Sequence, residues 1–226
     1  MKSEKYIPAL SYDWLTPFYD PIVRLTTRER IFKTALVNQS NIKAGHHVLD
    51  LACGTGTLTM MLKERSPNAE IIGIDGDAKI LQIAKEKANQ LDLEIRFDEG
   101  MAFSLPYPDE SFDRVVSSLF FHHLTRENKL KTLYEVKRVL KPQGSLHVAD
   151  WGMAANPMMK LMSRVIQFLD GFETTADSFG GMLPEFLTEA EFNAVEETGS
   201  FNTLFGTLRL HEAFKKQKGD SNGNTF

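Results

Sequence analysis

His47-Val48-Leu49-Asp50-Leu51-Ala52-Cys53-Gly54-Thr55-Gly56-Thr57 reads as a short apolar strand that carries one acid and runs into two close glycines ahead of a helix start. Such an apolar run suits a parallel strand buried on both faces. The glycines suit a backbone that turns sharply and lets a ligand approach with no Cβ in the way. Asp50 and the Gly54-Thr55-Gly56 turn therefore point to a nucleoside-type ligand at the carboxyl end of the strand.

Outward from this stretch, short apolar or β-branched runs alternate with longer helical patterns. Strands are expected at Val48–Ala52, Ile71–Asp75, Glu94–Phe97, Arg114–Ser118 and Ser145–Asp150. A helix after Asp77 places Ile80, Ala84, Ala88 and Leu91 on one face. Another, from Arg126, spaces Leu130, Leu133, Lys137 and Leu140 helically and pairs Glu127 with Lys131. It is expected to stop at the turn Lys141-Pro142-Gln143-Gly144. Strands alternating with helices imply right-handed crossovers and an α/β, doubly wound, mostly parallel sheet.

The ends break this rhythm. Trp14, Leu15, Phe18 and Tyr19 share helical spacing, Pro17 and Pro21 interrupt it, and a longer helix is expected from Thr27 to Asn38. After Asp150 comes a Met- and Phe-rich stretch, with a helix expected from Pro157 to Asp170 and a loop through Gly181. Thr188 and Glu191 form a Thr-x-x-Glu capping box that predicts a further helix. Val195–Phe201 and Thr207–Phe214 read as two strands joined by residues 202–206. The expected organisation is a helical cap over 1–42, one ligand-binding domain over 43–215 with an insertion at 151–187, and a polar tail at 216–226.

Of the 226 residues, 42% are hydrophobic and 25% charged, as in a globular chain with a full core. Lys and Arg number 26 against 30 Asp and Glu, a net charge of −4 that argues against a broad surface for nucleic acid. Cys53 is the one cysteine, so no intramolecular disulfide can form, and its place between strand and turn suits packing. Met1–Leu10 lacks an apolar signal core, and no apolar run approaches the ~20 residues of a membrane span. A cytoplasmic protein with no membrane span and a small-molecule partner is expected. No metal-ligand cluster is read.

Two further features share the ligand site. Asp75, at the tip of the second strand, stands where doubly wound folds hold ribose hydroxyls. Gly100-Met101-Ala102 follows the third strand, where a small residue's N–H can pair with an adenine edge. A nicotinamide dinucleotide is the competitor, but its fingerprint needs a small residue where this chain has Thr59, and no phosphate loop is present. A phosphate-free, cationic cofactor fits better: S-adenosylmethionine, with S-adenosylhomocysteine as product.

With these residues in view, the chain resembles the class I methyltransferases, and within them the ubiquinone/menaquinone-biosynthesis-like (type 11) group. Val48–Gly56 is similar to that family's first motif, Leu105-Pro106-Tyr107-Pro108-Asp109-Glu110-Ser111-Phe112-Asp113 to its loop into the fourth strand, and Val139–Gly144 to its Val-Leu-Lys-Pro-Gly-Gly turn. The resemblance implies a seven-stranded, Rossmann-like sheet whose last pair is an antiparallel hairpin. It implies that Asp50, Ala52 and the Gly54-Thr55-Gly56 turn face the methionine portion, and that Asp75 and Gly76 face the adenosine. It further implies that Gly100, Met101 and Ala102 border the adenine and that Ser117 and Ser118 lie under the sulfonium. Met101 replaces the family's frequent Asp, and Gly76 a larger apolar residue.

A base is needed only for a weakly nucleophilic acceptor, and His123, then His122, are the candidates. Asp150, ending the fifth strand, could orient an acceptor or cap a helix, and Tyr19 or Tyr12 could line the opening. The Met- and Phe-rich insertion suits an apolar or aromatic acceptor or the plain packing of a helix onto the sheet, and such a surface also supports a homodimer contact. The reading is methyl transfer to carbon, oxygen or nitrogen of a small acceptor. A non-catalytic S-adenosylmethionine-binding protein is one alternative. A nucleic-acid or protein methyltransferase is another, although Ser117–His122 lacks the Asn/Asp-Pro-Pro-aromatic sequence used on planar amino groups.

Overall fold

The computed structural model describes residues 29–157, 159–160, 172–203 and 206–216. The expected helices around Trp14–Tyr19, the two tyrosines Tyr12 and Tyr19, most of the Pro157–Asp170 helix and nearly all of the tail lie outside the described residues. The strands are β1 (His47–Leu51), β2 (Glu70–Asp75), β3 (Arg96–Glu99), β4 (Phe112–Ser118), β5 (Leu140–Gly152), β6 (Phe192–Asn202) and β7 (Thr207–Lys215). The helices are α1 (Glu29–Gln39), α2 (Thr57–Arg65), α3 (Ala78–Gln90), α4 (Arg126–Val139), α5 (Phe172–Phe179) and α6 (Leu183–Glu189), with a 3-10 turn at Phe121–His123.

All seven strands form one sheet in the order β3-β2-β1-β4-β5-β7-β6. The first five pair in parallel, and β7 runs antiparallel to both β5 and β6. The chain order reverses between β1 and β4, and a crevice opens at such a switch point beyond the carboxyl ends of the strands.

Strand alternation builds a core on each face. Leu49, Leu51, Ile72, Ile74, Val115, Leu146 and Val148 pack against Leu133, Val136 and Val139 of α4 and Leu183, Phe186 and Leu187 of α6. On the opposite face, Val48, Ile71, Val116, Ala149, Leu208 and Leu210 meet Phe32, Leu36 and Val37 of α1 and Leu58 and Leu62 of α2. Each fully buried aliphatic side chain contributes about 1.5–3 kcal/mol. A smaller cluster of Cys53, Leu81, Ala84, Ala88 and Phe97 seats α3 beside β3.

Three expected details differ. Leu81, not Ile80, is the buried first-turn residue of α3, and Leu91 lies 52% exposed beyond the helix end. β5 begins at Leu140 directly after α4, so the Lys141–Gly144 turn, with Gln143 at φ 64°, belongs to the strand's irregular start. Thr188 starts no helix: it closes α6, its hydroxyl donating to the Pro184 carbonyl at 2.9 Å. Glu191 then adopts φ 59° and the chain enters β6.

Candidate active site

The turn after β1 carries three residues with positive φ: Ala52 at 56°, Gly54 at 55° and Gly56 at 76°. A left-handed alanine is strained by about 1–3 kcal/mol and persists only where its surroundings fix it. Here Cys53 N–H donates to the Ile74 carbonyl at 2.9 Å, tying the turn to β2. The two glycines do different work. A Cβ at Gly56 would stand 3.0 Å from Ala84 Cβ and 3.3 Å from the Phe97 ring, so this glycine lets α3 and β3 close up behind the turn. A Cβ at Gly54 would meet nothing within 4 Å, which leaves a bare backbone surface facing open space.

Asp75 sits at the tip of β2 beside that surface, half-buried. One oxygen accepts from Gly54 N–H at 2.9 Å and the other from Asp77 N–H at 3.0 Å. Burial raises its carboxyl above the ordinary range, and these N–H bonds partly offset the rise. A carboxylate has about four lone-pair positions, so capacity remains for incoming hydroxyl donors. Asp77 caps α3 by accepting from Lys79 and Ile80 N–H, which leaves Asp75 uninvolved in capping.

The Asp75–Gly54 bond decides the class of cofactor. A dinucleotide's pyrophosphate needs the N–H groups of the glycine turn. In this chain Gly54 N–H is already held by a carboxylate that would repel a phosphate. The residues present therefore fit a phosphate-free adenosine derivative with a positive centre.

Beyond β3, Gly100 N–H donates to the Asp75 carbonyl at 3.0 Å, and Met101 and Ser104 bridge to form a tight turn. Met101, Ala102 and Phe103 are half-buried along it. The following loop is clamped from α4: Glu135 accepts from Leu105 N–H at 2.8 Å. Arg138 donates to the carbonyls of Leu105 and Tyr107 and to Asp109 and Glu135, all at 2.8–3.0 Å. Tyr107 donates its hydroxyl to Asp98 at 3.0 Å.

On the other side of the crevice, the Asp150 carboxylate at the end of β5 is 2% exposed. It faces His122 Nδ1 at 2.6 Å and accepts from the N–H groups of Trp151 at 2.7 Å and His122 at 3.2 Å. Burial alone would push its carboxyl up, but the facing imidazole and these bonds hold it below the usual range. The His122 and His123 rings lie 3.9 Å apart between centroids. His123 is the half-buried one of the two, and burial, with the field of His122 adding to it, holds its imidazole well below the ordinary range.

Residues 48–144 match the profile of the methyltransferase domain. A demethylmenaquinone methyltransferase of Thermus thermophilus is 37% identical over 180 residues, covering 76% of this chain and 80% of the relative. A ubiquinone/menaquinone biosynthesis C-methyltransferase of Pasteurella multocida is 27% identical over 210 residues, covering 82% and 75%. Among solved structures, a SAM-dependent methyltransferase of Methanosarcina mazei superposes with a TM-score of 0.64 at 22% identity, covering 80% of this chain and 98% of that one.

The chain belongs to the S-adenosylmethionine-dependent methyltransferases.

In this methyltransferase, exposure sorts the residues expected at the site. Ala52, Gly54, Thr55, Asp75, Gly76, Gly100, Met101, Ala102, Ser118 and His123 are all partly open at the carboxyl end of the sheet. Four expected residues are buried instead, Gly56 at the back of the turn being one. Asp50 is 1% exposed, faces α2 and accepts from the Thr59 hydroxyl at 2.6 Å; burial raises its carboxyl to about 7. Its carboxylate supports the turn from beneath. Ser117 is 0% exposed and its hydroxyl donates to the Leu51 carbonyl at 2.9 Å, stitching β4 to β1. The Asp150 carboxylate is spent on the His122 ring and on the N–H groups of His122 and Trp151.

Cys53 is a buried packing residue, its thiol pushed well up by burial and by the Asp50 and Asp75 carboxylates. The Glu135–Arg138 clamp is the feature that sequence reading missed. Its signal was present as an acid and an arginine three apart on the helix ahead of Val139–Gly144, on the turn that also holds the apolar face. Among the described residues no helix is long and apolar enough to cross a membrane.

Proposed function

We propose that this methyltransferase transfers a methyl group to carbon of a small, planar, quinone-type acceptor. The Asp75–Gly54 bond beside a bare glycine backbone carries the cofactor part of this reading. The acceptor part is supported by the demethylmenaquinone and ubiquinone/menaquinone relatives.

S-adenosylmethionine, when bound, supplies the methyl group as an electrophile. Asp75 accepts from the ribose hydroxyls. Ala52, Gly54 and Thr55 would hold the methionine portion, with Gly56 shaping the turn from behind, and Gly76, Gly100, Met101 and Ala102 would border the adenine. Ser118, partly open at the tip of β4, would help hold the methionine portion. His123 accepts the proton that a carbon or hydroxyl acceptor must lose as the new bond forms. Orientation and exclusion of water do most of the remaining work, worth roughly 7–11 kcal/mol of barrier in well-oriented reactions. A cytoplasmic setting accords with a lone, buried, unpaired cysteine.

Isothermal calorimetry tests the core of this reading. S-adenosylmethionine and S-adenosylhomocysteine are expected to bind in the micromolar range, on the order of −8 kcal/mol. Asp75→Ala is expected to weaken both by more than tenfold. No heat with either ligand would overturn the assignment, and an unchanged affinity in the variant would move the ribose contact elsewhere. A short-tailed demethylnaphthoquinol incubated with labelled donor is expected to yield a C-methylated product; label appearing on oxygen would correct the acceptor atom.

A further inference from the structure

We propose that the buried Asp150–His122 pair is a positioning device that sets the His123 ring at the edge of the crevice. The proposal rests on the reading of His123 as the imidazole that accepts the acceptor's proton. Asp150 and His122 lie 28 residues apart in the chain and meet because β4 and β5 are neighbours, with Ser118 opposite Ala149. The 3-10 turn following β4 then drops the His122 ring onto the tip of β5.

Three contacts leave His122 little freedom. Its Nδ1 stands 2.6 Å from Asp150 Oδ1, and its own N–H donates to Asp150 Oδ2 at 3.2 Å. Its ring also meets the Trp151 indole edge-on at 6.5 Å and 78°. An ionised carboxylate at Nδ1 makes that nitrogen the donor and fixes the ring orientation. His123 lies against this fixed ring at 3.9 Å and 40°, so the pose of the first imidazole dictates that of the second. Asp150 is two removed from the chemistry, and His122 one. Neither touches the acceptor, and His123 alone is partly open.

The charged and titratable groups facing the pair from neighbouring elements are Lys129 of α4, itself paired with Asp177 of α5, and His211 of β7. The burial that keeps His123 uncharged at neutral pH, reinforced by the field of His122, leaves its lone pair available for a proton.

Proton and nitrogen NMR on the protein alone, without cofactor or acceptor, tests this. The wild type should show a strongly downfield Nδ1–H signal from His122, ring-to-ring Overhauser contacts between His122 and His123, and a His123 midpoint well below 6.5. His122→Asn, and His122→Phe which keeps a ring but not the carboxylate bond, should each raise the His123 midpoint by about one pH unit or more. The acid limb of kcat/KM should move by the same amount while calorimetric affinity for S-adenosylmethionine stays unchanged. A His123 midpoint unmoved in both folded variants would overturn the proposal. If neither variant folds, absence of the downfield signal and ring contacts in the wild type overturns it, and their presence supports it. Because the NMR uses free protein, its failure leaves cofactor binding standing, and failure of the calorimetry leaves the histidine arrangement standing.

Discussion

His147 is 1% exposed on the face of the sheet away from α4, with its ring nitrogens 2.8 Å from the Ser145 hydroxyl and 3.3 Å from Gln39 Nε2. Burial, and then the Arg114 guanidinium, push its imidazole down to about 3. Unfolded, the same side chain titrates near 6.5, so below that pH the unfolded chain binds a proton that the folded chain refuses. Stability should therefore fall as pH drops from about 6.5 towards 3, by an amount on the order of 4 kcal/mol at the bottom of the window. Urea midpoints measured across that range, in wild type and in His147→Gln, check this. The variant should flatten the decline, and an equal slope in both would place the acid sensitivity elsewhere. The same scale explains what sequence reading could not reach. Asp50 and Asp75 are two similar acids near strand tips, yet one faces α2 and the other the crevice. Both stand on the same face, since Asp50 pairs with Gly73, two residues before Asp75, so the difference lies in depth along the strand and in where α2 lands, neither of which a motif encodes. Ser117 and Ser118 do differ by parity: adjacent strand residues face opposite sides, and only Ser118 of the pair is partly open.

Elements were easier to read than side-chain directions. Buried parallel strands must be apolar on both faces, so Val48–Leu51 and Ile71–Ile74 announced themselves, and Asp77 capped α3 as its residue type suggests. The Thr188–Glu191 box failed because the same spacing also fits a helix end followed by a left-handed residue, and tertiary packing of α6 chose the latter. The α4 clamp shows how one helix holds a loop with no secondary structure of its own. Four acceptors gather on Arg138, two of them backbone carbonyls. Arg138→Ala should cost about 1–3 kcal/mol, visible as a melting shift of several degrees. It should also expose residues 105–110 to limited proteolysis. A cleavage rate equal to wild type would show that the loop is held by other contacts.

At the scale of the whole molecule, the hairpin of β6 and β7 closes a sheet that the parallel strands alone leave open. Leu208 and Leu210 complete the core against α1, Ala213 completes the core against α4, and Phe192 anchors the far edge. A chain stopped at Glu191 would present β5 as a bare edge above two half-built cores, and is expected to aggregate without a cooperative melt. A soluble, cooperatively melting truncation would show that the five parallel strands suffice. The doubly wound order was readable from the alternation of strands and helices. The pairing of Asp150 with His122 was not, since contacts between distant segments leave no periodic trace in a sequence.

The bond from Gly54 N–H to Asp75 reaches further than affinity for one ligand. Adenine nucleotides crowd the interior of cells at millimolar levels and carry the same base and sugar as the methyl donor. With that amide already bonded to an anion, the bend is expected to disfavour the phosphates they carry, so discrimination begins at the backbone before any wall of the cleft is consulted.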